Sequence, residues 1–587
     1  GGLEEILKTI VNEFIVFCVW LTLAAAQRDE RRPVASTPLG ALRGRYMRTR
    51  QGRTISAFTA VPYALPPLGE LRFKEPVSVR PWGGRIYDAG GASAPCVQRN
   101  PYTRERAVRG QEDCLYLNIY TPHDTDVSQL IGSERLPVMV WLHGGGWMCG
   151  DGSTEMYGPE FLLDYGVLLV TVNYRLGPLG FLSTGDEVCP GNNGLKDQQE
   201  ALRFVQRNIH SFGGDNSSVT IFGESAGGTS VHYHMLSHTS AGLFHKAISQ
   251  SGTALVPWAE SPPGEALRNA FRLAKYLDCP QAPSADMIAC LRTRDSHHII
   301  DTEFMFYDWD YEPMTPFKAV VEPSLPGAFL TRSPRQRPGP TPGEPVPWLT
   351  GLNKDEGCLK SVWITSNSSR YRAFMSGLER IAPLTFYYES SPFAADITRR
   401  LRARYLRHRD GERDAAGVLQ MYSDSYFNYP LVEGAEFAMS SPRATVFLYE
   451  LTYRAANSFS QIFGDPHNDY GVCHADELMH LFPIRFLSQP ASPRDLAISD
   501  LILTLWTNFA TSGNPNRPVV PPGMAGVEWN PASLSQLEYL EISARPEMRV
   551  RLAERSRFWG TLPLWHTFME KRCFFFNEKN ISKLPLS

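Results

Sequence analysis

The apolar positions of this chain fall into two kinds of run. Short apolar runs occur at LPVMVWL (136–142), GVLLVTV (166–172) and within SSVTIFGES (217–225), and HKAISQSG (245–252), PWLTGLN (347–353) and TVFLYELTY (445–453) read as further strands. Strands buried on both faces read this way. The segments between the first three are long enough for crossover helices, so the pattern predicts an α/β fold around a mostly parallel sheet. From about Pro38 to Val61 apolar and polar residues alternate instead, which predicts an N-terminal antiparallel β-meander, and CLYLNIYTP (114–122) reads as a further strand. Helical periodicity is clearest where Leu195, Ala201, Leu202, Val205 and Ile209 share one face and Gly213-Gly214 stop the run. Helical patterns also extend to about Ile300, fill Tyr371 to Met439, and recur in LAISDLILTLWTNFATS, which Gly513 ends. The proline-rich stretch 334–347 reads as an exposed loop. With no internal repeat and no linker, residues 30–566 read as one domain, followed by a tail at 567–587.

Composition narrows the setting. The 587 residues are 43% hydrophobic and carry a formal net charge of −3, with no basic tract, which argues against nucleic acid as a partner. Phe14 to Ala26 is an apolar run of 13 residues that ends in small residues before Gln27. That is too short to cross a bilayer comfortably and predicts a secretory signal peptide over 1–26. The C-terminal tail lacks the hydrophobic end of a lipid-anchor signal, so no stable membrane anchor and an extracellular location are expected. Sequons at Asn216, Asn367 and Asn580 agree with secretion. Of ten cysteines, Cys18 falls in the signal segment. Cys96 and Cys114 stand close in sequence, as do Cys279 and Cys290. Each pair is either a short disulfide loop or two reduced thiols. The odd count in the mature chain implies at least one free thiol or an intermolecular bond, with Cys573 the most exposed candidate.

The chemistry centres on Gly223-Glu224-Ser225-Ala226-Gly227, a G-x-S-x-G sequence at the end of an apolar run. A serine hydroxyl is a weak nucleophile at neutral pH, so acyl transfer needs it exposed on a sharp strand-to-helix turn, beside a base and near oxyanion donors. Upstream, His143-Gly144-Gly145-Gly146-Trp147 follows a strand, and its glycines let amides converge on a small anion. By position Gly145 and Gly146 donate together with Ala226. Asp355-Glu356-Gly357 puts carboxylates at a strand's C-terminal end, and His474 lies in GVCHADEL beyond another strand. The order Ser225, Glu356, His474 is the nucleophile, acid, base order of a hydrolase sheet.

HGGGW, VNYRLGPLGFL, GNNGLKDQQEALRFVQRNIHSFGGD, VTIFGESAGG, SQSGTA, NKDEG and GVCHADEL, in this order, resemble the type-B carboxylesterase and cholinesterase family of α/β-hydrolases. The similarity runs from about Pro38 to Trp565, includes EDCLYLNIYTP, and is to secreted arthropod-type esterases in particular. It implies Ser225 as nucleophile, His474 as base and then acid, and Glu356 as the carboxylate that orients His474. Gly145, Gly146 and Ala226 are implied as oxyanion donors and Cys96–Cys114 and Cys279–Cys290 as disulfides. Trp258 matches a position near the acyl pocket, and Glu224, Ser251 and Glu477 match positions behind the triad.

Two departures shape the expectation. Arg104 stands where cholinesterases carry the tryptophan that binds choline, which disfavours choline esters. Juvenile-hormone esterases typically have glutamine before the serine, where this chain has Glu224. The expected function is a secreted serine carboxylesterase acting on a small-molecule ester through an acyl-enzyme, with no cofactor or metal. Its activity is expected to rise with pH around the reference histidine value of about 6.5. A catalytically weak adhesion or binding member of the same fold is the alternative, and within enzymes a juvenile-hormone-type lipid esterase.

Overall fold

A computed structural model describes residues 32–123, 135–336, 345–406, 414–487, 492–550 and 552–564. The expected signal peptide, Cys573 and Asn580 lie outside the described residues. β1 (Val34–Thr37) pairs antiparallel with β2 (Gly40–Arg43), and β3 (Arg45–Arg48) with β4 (Thr54–Pro62). β5 (Tyr87–Asp88) joins β2 in a separate three-stranded sheet. The alternating segment is therefore antiparallel as expected but divided between two sheets. The chain passes from one to the other at Gly44, where a Cβ would lie 2.4 Å from the Ala57 carbonyl oxygen.

The main sheet adds β6 (Tyr116–Thr121), β7 (Leu136–Leu142), β8 (Leu168–Val172), β9 (Gly214–Glu224), β10 (Lys246–Gln250), β11 (Trp348–Asn353), β12 (Val446–Leu451), β13 (Tyr539–Ile542) and β14 (Glu547–Arg549). Its 11 strands run in the order β14-β13-β12-β11-β10-β9-β7-β8-β6-β4-β3. The strands from β8 to β13 in that order are mutually parallel, and only the two margins are antiparallel. Every residue of β8, β10, β11 and β12 is buried, as strands of a parallel sheet covered on both faces are. β13 and β14 have four and three residues, too short to give a legible pattern.

Register brings one edge of this sheet together. Gln250 pairs with Glu224 and with Gly351, and Leu142 lies opposite Gly223, so β7, β9, β10 and β11 end side by side. The helix Ala226–Leu236 follows β9 at once and packs closely on the sheet. Its glycines make that approach possible: a Cβ on Gly227 would lie 1.9 Å from the Leu142 carbonyl oxygen and one on Gly228 2.5 Å from that of Gln250. The helix Asn193–Asn208 is buried almost all round rather than along one stripe. Its polar side is paired inside the protein: Asp197 takes two bonds from the Arg175 guanidinium, at 2.6 and 2.7 Å, and Lys196 pairs with Glu322 and Glu75, each at 2.7 Å. Among the described residues no helix is long and apolar enough to cross a membrane.

Gly227→Ala is expected to cost more than about 3 kcal/mol, because the clash is with backbone that cannot step aside. Gly84→Ala, which meets nothing within 4 Å, is expected to stay within about 0.5 kcal/mol of the parent. Chemical denaturation of the two variants checks both values.

Candidate active site

Ser225 sits between the last residue of β9 and the first of the helix Ala226–Leu236, with φ 58° and ψ −122°. A non-glycine residue in that region carries about 1–3 kcal/mol of backbone strain. The surroundings hold it there: its N–H donates to the Gln250 carbonyl at 2.9 Å and its carbonyl accepts from Thr229 N–H at 2.8 Å. The Ala226 N–H, first of the helix, donates to no acceptor among the described residues. The same holds for the amides of Gly145 and Gly146, whose φ values of 100° and 63° turn the chain after β7. Gly144 lies between the two segments, where a Cβ would come within 2.7 Å of Glu224 Oε2 and 3.1 Å of Ser225 Cβ. Three amides without internal partners thus lie on the two turns that meet beside Ser225.

Glu356 follows β11 directly. Its Oε2 accepts from His474 Nδ1 at 2.5 Å, while Oε1 accepts from the Ser251 hydroxyl at 2.5 Å and from Asn353 N–H at 2.7 Å. On the other side of the ring, His474 Nε2 lies 3.0 Å from Glu224 Oε1. Among the described residues, Ser225 Oγ makes no hydrogen bond to His474. The imidazole is therefore held between two buried carboxylates. Burial opposes its charge, but Glu224 and Glu356 outweigh that and raise its pKa well above the ordinary histidine value. Burial raises Glu224 as well, against the pull of His474.

A third carboxyl group lies behind these two. Glu477 accepts from Gln250 Nε2 at 3.1 Å and from Asn353 Nδ2 at 2.5 Å. Burial first, then repulsion from Glu224 and Glu356, pushes its pKa up to about 8. Ser251 thus contacts Glu356 and Glu224 contacts His474, while Glu477 lies behind them on Gln250 and Asn353. Trp258 is fully buried, with its ring 5.8 Å from that of Trp147 and 6.3 Å from that of Phe427. Phe427 lies 4.6 Å from the His474 ring and was missed by sequence reading. It belongs to a single π-turn, Asp424–Asn428, inside a helical run, and a periodicity of 3.6 does not reveal such a turn.

The cavity next to the glycine turn is lined by Tyr102, Arg104, Met148, Leu359, Trp363 and Phe463 among others and measures about 30 Å³. A Cβ on Gly146 would meet Tyr102 Oη at 2.8 Å and Met148 Cε at 3.1 Å, which places this cavity beside the free amides. Arg104 caps it, bound to both oxygens of Asp310 and stacked over Trp363 at 3.1 Å.

Both expected disulfides are present, Cys96–Cys114 and Cys279–Cys290. A third, Cys358–Cys473, joins residues 115 apart and was not anticipated. Its signal was in the motifs themselves, since Cys358 closely follows Glu356 and Cys473 directly precedes His474. Among the described residues Cys149 and Cys189 are the free thiols, both buried. Asn367 is exposed and its side chain caps the helix Ser368–Ser376. Asn216 is half-buried and its Nδ2 donates to the Gln206 carbonyl at 3.2 Å. Among the described residues no group of acidic, histidine and cysteine side chains could hold a metal ion.

The family model described as "Carboxylesterase family" matches residues 31–559. Similar proteins include the juvenile hormone esterase of Tribolium castaneum, 34% identical with 91% of this chain and 92% of that protein covered. Venom carboxylesterase-6 of Apis mellifera is 35% identical, covering 91% and 95%. A carboxylic ester hydrolase of Bombus ignitus is 34% identical, covering 94% and 96%.

Glu477 binds more protons folded than unfolded between its unfolded pKa near 4.3 and its folded value of about 8. The sign is then negative: stability falls as pH rises through that window, by up to about 1.4 kcal/mol per pH unit. Glu477→Gln is expected to flatten the decline, as measured by thermal unfolding between pH 5 and 8.

Proposed function

The chain belongs to the carboxylesterase family and is a carboxylic ester hydrolase, and from that premise we propose that it works through a Ser225–His474–Glu356 triad and an acyl-enzyme. The observation that supports this reading most directly is the 2.5 Å contact between His474 Nδ1 and Glu356, at the same sheet edge as a serine with left-handed φ. Glu356 fixes the tautomer that leaves Nε2 free to accept a proton. His474 takes the Ser225 proton as Oγ bonds to the ester carbonyl carbon. The oxyanion that forms is received by the amides of Gly145, Gly146 and Ala226. His474 then protonates the departing alcohol, and water repeats the sequence to release the acid.

Glu224 enters this cycle before its first step. While Nε2 faces Glu224 the ring favours its charged form, and a charged ring accepts no proton from Ser225. The turnover-competent form is the neutral ring with Nε2 turned to Ser225. The carbon-rich lining from Met148, Leu359 and Phe463 supports a substrate with an apolar group. Three disulfides and the 13-residue apolar run at Phe14 to Ala26 support secretion.

Ser225→Ala is expected to abolish labelling by a fluorophosphonate probe that reacts with the parent protein. Retained labelling in the variant would remove Ser225 from the reading. In a pH series of kcat/KM on a nitrophenyl ester, the rising limb is expected above the reference of about 6.5, because the raised His474 pKa delays formation of the neutral base. Glu224→Gln removes one of the two charges and is expected to move that limb to lower pH.

A further inference from the structure

The base sits on an unusual support. Between β12, which ends at Leu451, and the short helix that begins at Leu478, the chain carries His474 through a long irregular segment whose regular structure is a single three-residue turn, Phe459–Gln461. Such a segment, on its own, does not place a side chain to within a fraction of an ångström. The acid is better placed, since Glu356 lies between β11 and the helix Cys358–Thr365.

The two segments are joined along a seam. Asp355 N–H donates to the Val472 carbonyl at 2.9 Å, and Val472 N–H donates to Asp355 Oδ2 at 3.0 Å. Asn353 Nδ2 donates to the Cys473 carbonyl at 2.7 Å. Gly471, with φ 80°, allows the close approach, since a Cβ there would lie 2.1 Å from Asp355 Oδ2. At the end of this seam stands the Cys358–Cys473 disulfide, with Cα atoms 5.5 Å apart and both residues fully buried. The other two disulfides close loops of 18 and 11 residues. This one crosses 115 residues and ties the turn of the acid to the turn of the base.

We propose that Cys358 and Cys473 are positioning residues for hydrolysis: their disulfide holds the His474 segment in register with Glu356. This rests on the triad reading above. The bond touches no substrate and acts through the Glu356–His474 contact. Misplacement by about 1 Å at a reacting centre costs on the order of 10²-fold in rate, which is the scale of the effect expected here.

The test is a double-mutant cycle on the full chain. Cys358→Ala/Cys473→Ala is made alone and with Glu356→Gln, and kcat and KM on a nitrophenyl ester are measured well below the unfolding temperature of each variant. The expected result is a fall in kcat on the order of 10²-fold with KM changed much less, and a cycle that is strongly non-additive. Once the disulfide is gone, Glu356→Gln should cost far less than it does in the parent. Cys279→Ala/Cys290→Ala is the control: it removes a disulfide away from these turns and should combine with Glu356→Gln as independent factors. A kcat that survives loss of the Cys358–Cys473 bond overturns the proposal, and so do effects that simply multiply in the cycle. A Cys358→Val/Cys473→Ala variant refills the volume should the first fail to fold. If neither folds, the bond serves the fold and not the site, and the proposal falls. An unchanged kcat in Glu356→Gln alone is a different outcome, since it refutes the acid assignment itself.

Discussion

Everything at the C-terminal edge of the sheet depends on one arrangement, the imidazole of His474 held between the carboxylates of Glu224 and Glu356. Each of the three is buried, and an unpaired ion there costs several kcal/mol. Placed together they offset one another, but only while the geometry is kept. That requirement explains the density of polar contacts behind them. Ser251 and the Asn353 amide occupy the second oxygen of Glu356, and Gln250 and Asn353 occupy Glu477. With a pKa of about 8, Glu477 stays largely protonated at neutral pH, which prevents a third negative charge from forming in the same small volume.

The sheet register delivers these groups without a dedicated scaffold. Glu224 and Gln250 end adjacent strands in register, β11 runs two residues further to Asn353, and Gln250 and Asn353 converge on Glu477. Ser225 is the first residue beyond that edge. Its backbone strain is sustained by bonds to Gln250 and Thr229 and by glycines that bring the following helix onto the strands. The placement of Ser225, Glu356 and their supporting polar groups is thus largely a property of β9, β10 and β11. His474 is the exception, arriving on a long loop and held by contacts to the turn of Glu356.

This division also marks what could be read from the sequence. The buried strands were legible because a parallel sheet imposes uninterrupted apolar runs, and the helix of Leu195 to Ile209 was legible from its period. The glycine turn, Ser225 and Glu356 stood at or just beyond strand ends, and His474 in its motif after a strand, so all could be named. Three features were not legible. β13 and β14 are too short to carry a pattern. The helix Asn193–Asn208 hides charges that look solvent-exposed in sequence, because their partners Arg175, Glu75 and Glu322 are remote along the chain. The contact of Glu224 with His474 Nε2 depends on side-chain orientation, which spacing does not encode.

The cavity beside the glycine turn is governed by a different balance. Arg104 reads in the sequence as a bare cation, but in the fold Asp310 neutralises it and the Trp363 indole lies under its guanidinium. Arg370 stacks on the same indole at 3.3 Å. Arg104, Asp310 and Trp363 line the cavity beside the glycine turn. Tyr102 and Arg104 belong to the loop closed by Cys96–Cys114, and Trp363 belongs to the helix whose first residue is tied to Cys473. Both backbones are covalently restrained near the cavity, so side-chain rotation is the least costly way to open it. The Arg104–Asp310 pair is one contact such a rotation has to break. It is partly solvent-exposed, so water can receive both charges when it breaks, and the wall can shift without disturbing the buried charges behind it.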